Sequence, residues 1–368
     1  MRVGHGGDET CVSALSGPSR SCRAADVLNR PDLVADPAPK PHAKRNRVLK
    51  NVGKLLLFVF GVAAVVALVE EAGPDAVLQT LLQSAIYLPI ILLLEIAFMS
   101  MDVVALRSFL AERGASVPML VWVRTAMVAY GVMILLPAGR AGGEVARAAG
   151  LAPYVGASHA AALAARLQAA TLIGNTLISL PAWIAVGVAV NFGTPLAWMV
   201  LFNGVVTGVV GSLIVLASRR SSIGTWLGKR VRALAAHGED FDEALRDEVS
   251  WTRPIMATFL GRVFQAVQYG IILLAVGGAL TPISALVAQG IHLVGAGLGD
   301  MVPNQVGITE GAYRLFAPAL GLQAAPARAI GIALVARLCQ FFLAGVALTV
   351  STLWRPATVV PAKLSEQA

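Results

Sequence analysis

Residues 136–147 are LPAGRAGGEVAR and residues 302–314 are VPNQVGITEGAYR, and both polar stretches interrupt long apolar regions. Each contains a proline, then glycine, then glutamate, and each ends in an arginine. A charged side chain within an apolar region is costly and is usually functional. A polar break that recurs in two halves of a membrane protein indicates a binding site between internal repeats.

The composition around these stretches is that of a membrane protein. Of the 368 residues, 57% are hydrophobic and 14% charged, and the mean hydropathy is +0.72. Soluble domains carry about 25% charged residues, so the chain falls outside that class. The net charge of +8 lies mainly between apolar runs, where it sets topology. It therefore does not indicate nucleic-acid binding.

The apolar runs predict an all-α polytopic fold with about six spanning helices, each needing about 20 residues. The predicted spans are residues 53–69, 77–106, 158–190, 196–217, 254–280 and 327–353. Residues 1–48 are expected to be a disordered tail without a cleavable signal peptide. Residues 49–355 then form one transmembrane domain that contains a polar loop at 218–252, and residues 356–368 form a second tail.

Lysine and arginine predict the orientation of the domain. The N-terminal tail, the loop after residue 106, the 218–252 loop and the C-terminal tail are basic, whereas residues 70–75, 191–195 and 281–282 contain no basic residue. The positive-inside rule places the first set, including both termini, in the cytoplasm. We therefore expect a multi-pass protein of the bacterial inner membrane.

This orientation requires residues 117–150 to enter and leave the membrane on the cytoplasmic side, and residues 283–320 to do so on the other side. Both segments are therefore predicted to be re-entrant helical hairpins, with a polar break at each tip. The order span, hairpin, span then occurs twice, at about 77–190 and 254–353, as an inverted repeat. Full spans with a different charge balance are the alternative.

Glu144 and Glu310 are predicted to lie near the starts of short helices whose N-termini attract anions. Glu144 has the helical spacing to pair with Arg147, and Glu310 has the i,i+4 spacing to pair with Arg314. Internal ion pairing and substrate contact are equally good interpretations of both glutamates.

Arg166 and Arg337 lie well inside predicted spans, in matched ARLQ and ARLCQ sequences. An arginine there costs about 2.5–3.5 kcal/mol on insertion scales and needs a partner. That partner is expected to be Glu144, Glu310 or a lipid phosphate bound bidentately. Two further intramembrane arginines, Arg124 and Arg262, are expected to reach the interface or to pair with Glu95 or Asp102. These two acidic residues lie in the 77–106 span.

Enzyme signatures do not occur in the sequence: there is no zincin motif, nucleophile elbow or Walker-type phosphate loop. The isolated histidines and three cysteines lack metal-ligand spacing. We therefore expect no catalytic residue, no metal and no cofactor.

At the two polar stretches the chain resembles the transmembrane, flippase-like domain of lysylphosphatidylglycerol synthases and its stand-alone relatives. The first family motif is matched by Pro137, Gly142, Gly143, Glu144 and Arg147. The second is matched by Pro303, Gly307 and Glu310, whereas Asn304 and Gln305 stand where the family usually has glycines. The soluble aminoacyl-transferase domain is missing, so lysyl transfer is not expected.

The resemblance implies movement of a lipid, expected to be anionic, between membrane leaflets. The predicted lipid-binding residues are Pro137, Gly139, Arg140, Gly142, Gly143, Glu144, Arg147, Arg166, Gln168, Pro303, Asn304, Gly307, Glu310, Arg314, Arg337 and Gln340. The expected partners are membrane lipids, a second copy of the chain or a lipid-synthesis enzyme. One alternative is a non-transporting accessory or scaffold subunit of a lipid-synthesis pathway; another is an intramembrane transferase with Glu144 or Glu310 as base.

Overall fold

The computed structural model describes residues 59, 62–110, 117–135, 139–220, 224–225, 238–247, 249–299 and 305–353. These residues form helices and short connections, and no strand occurs among them. The helices are α1 (Pro74–Ser84), α2 (Leu88–Leu110), α3 (Met119–Leu135), α4 (Gly139–Val155), α5 (Ala157–Ala189), α6 (Pro195–Arg220), α7 (Gly238–Arg246), α8 (Thr252–Ala275), α9 (Pro282–Gly299), α10 (Ile308–Leu315) and α11 (Pro326–Leu353). Residues 62–72, before α1, are also helical. The all-α polytopic class is therefore confirmed.

Six helices in the described part of the chain are long and apolar enough to cross a membrane. They are Pro74–Leu110, Ala157–Ala189, Pro195–Arg219, Thr252–Ala275, Pro282–Gly299 and Pro326–Leu353. Five correspond to predicted spans, whereas most of the predicted 53–69 span lies outside the described residues. The sixth, α9, was predicted to be one arm of the second hairpin. The corresponding arm of the first hairpin, α3, has 17 residues and is about 26 Å long.

The elements before and after each predicted hairpin lie close together. On one side, the rings of Phe109 and Trp251 are 5.2 Å apart, and His159 Nε2 lies 3.8 Å from Asp247 Oδ2. The end of α2 and the start of α5 are thus both next to the segment that leads into α8. Around the second hairpin, Arg328 donates to the Gly277 carbonyl at 3.5 Å. This contact joins the end of α8 to the start of α11.

The two predicted repeats pack across one another. Helix α2 packs along α8, α5 packs against α9, and α11 packs against α3. The α8 hydroxyl of Thr258 donates to the α5 carbonyl of Ala170 at 3.0 Å. Helices α5 and α6 approach closely because Gly204 and Gly208 of α6 face Ser179 and Thr176 of α5. This arrangement is the small-residue packing that the glycine spacing predicts.

Candidate functional site

The return arm of the second hairpin, α10, begins with a closed ion pair. Glu310 is completely buried. Its Oε1 accepts from Arg337 Nε at 2.8 Å, and its Oε2 accepts from the Gly307 backbone N–H at 2.9 Å. Glu310, the third residue of α10, thus caps the helix through the backbone N–H of the N-cap residue Gly307, which is one half of a capping box. The predicted helix start is confirmed, and of the partners expected for Arg337 the structure shows Glu310.

The turn before α10 depends on left-handed backbone at two residues. Gly307 has φ of 83° and Gln305 has φ of 56°. A side chain disfavours that conformation by about 1–2 kcal/mol, and Arg337 Nη2 lies 3.4 Å from the Gln305 carbonyl that it contacts. Gln305 therefore makes the turn that a family glycine would make more easily. Pro303 and Asn304 lie outside the described residues.

The predicted pairing of Glu310 with Arg314 is wrong. Arg314 Nη2 instead donates to Glu71 Oε1 at 2.8 Å, and this pair is partly exposed. Arg314 thereby links α10 to the helical residues before α1. The i,i+4 attraction between Glu310 and Arg314 is worth only about 0.2–0.5 kcal/mol, so the buried contact with Arg337 outweighs it.

The first hairpin contains a looser cluster of charges around Arg147 of α4. Arg147 Nε lies 3.5 Å from Glu144 Oε2, and its Nη2 lies 3.6 Å from Asp102 Oδ2 of α2. The pairing predicted for Glu144 is confirmed, although both distances are too long for hydrogen bonds. Arg147 is 8% exposed, and its Nε and Nη1 make no hydrogen bond to the residues that the structure describes. A buried guanidinium therefore remains available for a further acceptor.

Glycines of the first stretch let the arms of this hairpin meet. Gly139 starts α4 with φ of 55°. A Cβ placed on Gly143 would lie 3.0 Å from the Ala129 carbonyl oxygen of α3, and Gly142 is half-buried beside it. Pro137 and the side chain of Arg140 lie outside the described part of the chain.

Arg166 has neither of the glutamate partners expected for it. Its Nη2 donates to the carbonyls of Ala244 at 2.8 Å and of Asp247 at 3.0 Å, at the C-terminal end of α7. Carbonyls at a helix C-terminus lack intrahelical partners and attract cations, so Arg166 caps the loop helix. The sequence match with Arg337 therefore does not extend to structure. Gln168, two residues further along α5, is half-buried.

The loop helix α7 is docked rather than simply solvated. Asp242 is buried, and its carboxylate accepts from the backbone N–H groups of Gly224 at 2.6 Å and Thr225 at 2.9 Å. Burial alone would raise the pKa of Asp242. The hydrogen bonds from Thr225 and Gly224 outweigh burial and hold the pKa of that carboxyl below its usual value.

A second polar cluster, centred on Glu95 of α2, was not predicted as part of a site. Glu95 is 1% exposed. Tyr130 of α3 donates to its Oε1 at 2.7 Å, Gln268 of α8 donates to its Oε2 at 2.8 Å, and the Gln340 side chain of α11 interacts with it. The signal in sequence was a lone glutamate in the middle of an apolar run, which marks function by default.

Further polar residues continue this cluster towards the second hairpin. Arg262 Nη1 donates to Gln265 Oε1 at 2.8 Å, and the Arg262 guanidinium lies 5.1 Å from the centre of the Phe98 ring. The Tyr269 hydroxyl and His292 Nδ1 are 2.7 Å apart. Tyr269 interacts electrostatically with both Glu95 and the Glu310–Arg337 pair. Buried polar groups thus extend from hairpin to hairpin.

The arrangement offers two charge clusters of different kinds near the hairpins. At the first hairpin, Arg147 has spare donors. At the second, Glu310 and Arg337 satisfy each other. No cluster of three or more histidine, cysteine, aspartate or glutamate residues suited to a metal ion occurs among the residues described.

The sequence was compared with known proteins. A family model, described as the lysylphosphatidylglycerol synthase TM region, matches residues 51–347. No curated protein matches the chain. The match covers the hairpins, the loop helix and all but the last six residues of α11, so it includes every charge cluster described above.

Proposed function

This chain belongs to the lysylphosphatidylglycerol synthase TM-region family, and from that premise we propose that it moves an anionic envelope lipid between membrane leaflets. The headgroup enters between the two hairpins while the acyl chains stay in the bilayer. The protein lies in the bacterial inner membrane with both termini in the cytoplasm, and it catalyses no covalent step. The family match and the six apolar helices support the membrane setting.

One observation carries the proposal: the spare donors of Arg147. Its guanidinium is buried among apolar helices, yet its nearest carboxylate oxygens lie 3.5 and 3.6 Å away. A phosphate is the acceptor that a guanidinium binds best, through two parallel hydrogen bonds. A phosphate that approached Arg147 would replace the carboxylates of Glu144 and Asp102 as its partner. Both carboxylates are partly exposed and can turn towards water.

In this proposal Arg337 of the second hairpin also exchanges a carboxylate partner for the phosphate. Arg337 is held by Glu310 at 2.8 Å, so it is closed to a phosphate in this arrangement. A headgroup that leaves Arg147 can bind Arg337 only if Glu310 releases it. Transport then alternates between a state in which Arg147 is open and one in which Arg337 is open. In this scheme Arg147 takes the position in the first half that the sequence assigned to Arg166.

The experiment measures translocation of an acyl-labelled anionic phospholipid by purified protein in liposomes, by the loss of fluorescence when a membrane-impermeant quencher is added. Arg147→Gln removes hydrogen bonds to a charged group that are worth about 1.5–3 kcal/mol. We therefore expect translocation to slow by about tenfold or more, because 1.36 kcal/mol corresponds to a factor of ten. Arg147→Lys keeps the charge but cannot form two parallel hydrogen bonds. Its translocation rate should lie between those of the wild type and Arg147→Gln.

Arg124→Gln is the matched control, because Arg124 lies in the other arm of the same hairpin and donates to the backbone carbonyl of Ser351 at 3.1 Å. It should translocate lipid at close to the wild-type rate. Equal slowing in both variants would mean that any loss of charge in this hairpin impairs the protein, which contradicts a headgroup role for Arg147. A folded wild-type protein that moves no lipid would exclude transport and favour the accessory-subunit alternative.

A further inference from the structure

Glu95 lies where three helices meet and is bound by all of them. It is 1% exposed, its hydrogen-bond donors come from α3 (Tyr130) and α8 (Gln268), and the Gln340 side chain of α11 interacts with it. An ionisable residue within a transmembrane bundle is costly. A buried glutamate that only joined helices could be replaced by a glutamine, which needs no charge. The carboxyl group therefore requires an explanation beyond packing.

One charged group and three titratable groups on the neighbouring helices interact with Glu95. Arg262, which attracts Glu95 electrostatically, also donates to Gln265 and stacks on Phe98. Tyr130, Tyr269 and Cys339 also face Glu95, from α3, α8 and α11. The ionisable groups at the start of α5, Arg166 and His159, contact the loop helix segment instead.

The hydrogen bonds of the cluster allow one carboxyl oxygen to accept a proton. Gln268 donates both to Glu95 Oε2 at 2.8 Å and to the Ile91 carbonyl at 3.1 Å, so its amide is fixed as a donor. The Tyr130 hydroxyl at Oε1 can instead reverse, since a phenol both donates and accepts. Hydronium that gives its proton to Oε1 breaks one of its own O–H bonds and leaves as water, an O–H bond forms on Oε1, and Tyr130 changes from donor to acceptor.

We propose that Glu95 is a proton-binding site, and that proton binding there is coupled to movement of the lipid headgroup. This inference rests on the proposed function. Tyr130 belongs to α3, an arm of the first hairpin. Gln340 lies three residues after Arg337 on α11, and Arg337 holds the second hairpin through Glu310. A change of charge on Glu95 therefore alters its contact with Tyr130 in the first hairpin. It also alters its contact with Gln340, next to the arginine that holds the second hairpin.

The first test detects the proton directly. Infrared difference spectra between acidic and alkaline buffer, recorded on protein in lipid nanodiscs, should contain the carbonyl band of a buried carboxyl that titrates. Glu95→Gln should remove the band, and Tyr130→Phe should keep it at a shifted pH, because the carboxyl remains but loses one donor. Glu71→Gln, which deletes an exposed carboxyl, should keep the band unshifted. A band that survives Glu95→Gln, or no titrating band in the wild type, would overturn the proposal.

The second test measures coupling in liposomes with a pH gradient. If one proton moves with each headgroup, a gradient of one pH unit should shift the steady-state leaflet ratio of a labelled anionic lipid by about tenfold. Glu95→Gln should give the same ratio with and without the gradient, and Glu71→Gln should respond like the wild type. Wild-type transport that ignores the gradient overturns the coupling alone. Absence of any wild-type transport overturns the proposed function, and the infrared band still decides whether Glu95 binds a proton.

Discussion

At the scale of single residues, two glutamate–arginine pairs with the same 2.8 Å separation differ in burial. Glu310 is fully buried and Arg337 largely so, whereas Arg314 is partly exposed and Glu71 exposed. Glu310→Gln removes the carboxylate that pairs with the Arg337 charge, which costs about 3–5 kcal/mol of unfolding free energy in buried pairs. Glu71→Gln should cost at most about 1 kcal/mol. Denaturant unfolding in micelles measures the free energy of unfolding of both variants.

The double variant Glu310→Gln, Arg337→Gln separates pairing from packing in this prediction. Two neutral amides of similar shape leave no buried charge, so the double variant should be more stable than Glu310→Gln alone. If Glu310→Gln costs no more than Glu71→Gln, the buried pair does not hold the second hairpin. That result would also remove the reason why Arg337 is closed to a phosphate.

The residue scale also shows what the sequence could predict about the site. Pairings of Glu144 with Arg147 and of Glu310 with Arg337 were predictable, because a charge in an apolar environment needs an opposite charge nearby. The partner of Arg166 was not predictable, since it consists of backbone carbonyls of α7. Carbonyls leave no signal in side-chain chemistry. The Glu95 cluster was missed because the residues that surround Glu95 come from three distant helices.

At the scale of elements, the docking of α7 depends on Asp242, whose pKa is held below its usual value. A group with a lowered folded-state pKa stabilises fully above its unfolded value, about 3.9, and loses that contribution as the pH falls through the lower folded value. Hydrogen exchange measured at each pH gives the protection factors of the α7 amides, which correct for the intrinsic effect of pH on exchange. These protection factors should therefore stay constant from neutral pH to about pH 4. They should fall only in more acidic buffer.

Asp242→Asn tests the same docking at neutral pH. It removes the charge that accepts from Gly224 and Thr225, so α7 should exchange faster than in the wild type. Glu239→Gln removes an exposed charge from the same helix and should leave exchange unchanged. Equal protection in wild type and Asp242→Asn would show that Arg166 and the apolar contacts of Ala244 and Leu245 suffice to dock the helix.

The helices themselves were predictable to different degrees. Long apolar runs gave α2, α5, α6, α8 and α11, because a stretch of about 20 apolar residues has few alternatives to a membrane helix. The continuous apolar helix Pro74–Leu110 is longer than the predicted 77–106 run, since polar residues at its ends do not stop a helix. Docking of α7 was not predicted because its acidic sequence resembles a solvated helix, and burial of one aspartate depends on backbone N–H groups.

At the scale of the whole molecule, the helices before and after each predicted hairpin lie close together, which concerns the side of the membrane on which each hairpin begins and ends. The end of α2 and the start of α5 both approach the segment that leads into α8, and the end of α8 meets the start of α11. This proximity does not conflict with the predicted re-entrant hairpins. Helix α10, with eight residues, is about 12 Å long and too short to cross a core of about 30 Å.

Single cysteines in a chain without its native cysteines test this topology in intact bacterial cells with a membrane-impermeant maleimide. Asn191→Cys and Gln323→Cys, in exposed turns, should react from outside, because the positive-inside rule places the Asn191 turn there and the predicted second hairpin returns to that side before Gln323. Ala157→Cys and Glu239→Cys should react only after permeabilisation. The decisive position is Ala141, near the tip of the first hairpin and exposed in the bundle. If the hairpin is re-entrant, Ala141→Cys opens towards the cytoplasm and should resist labelling from outside; labelling of Ala141→Cys in intact cells would mean that α3 crosses the membrane completely.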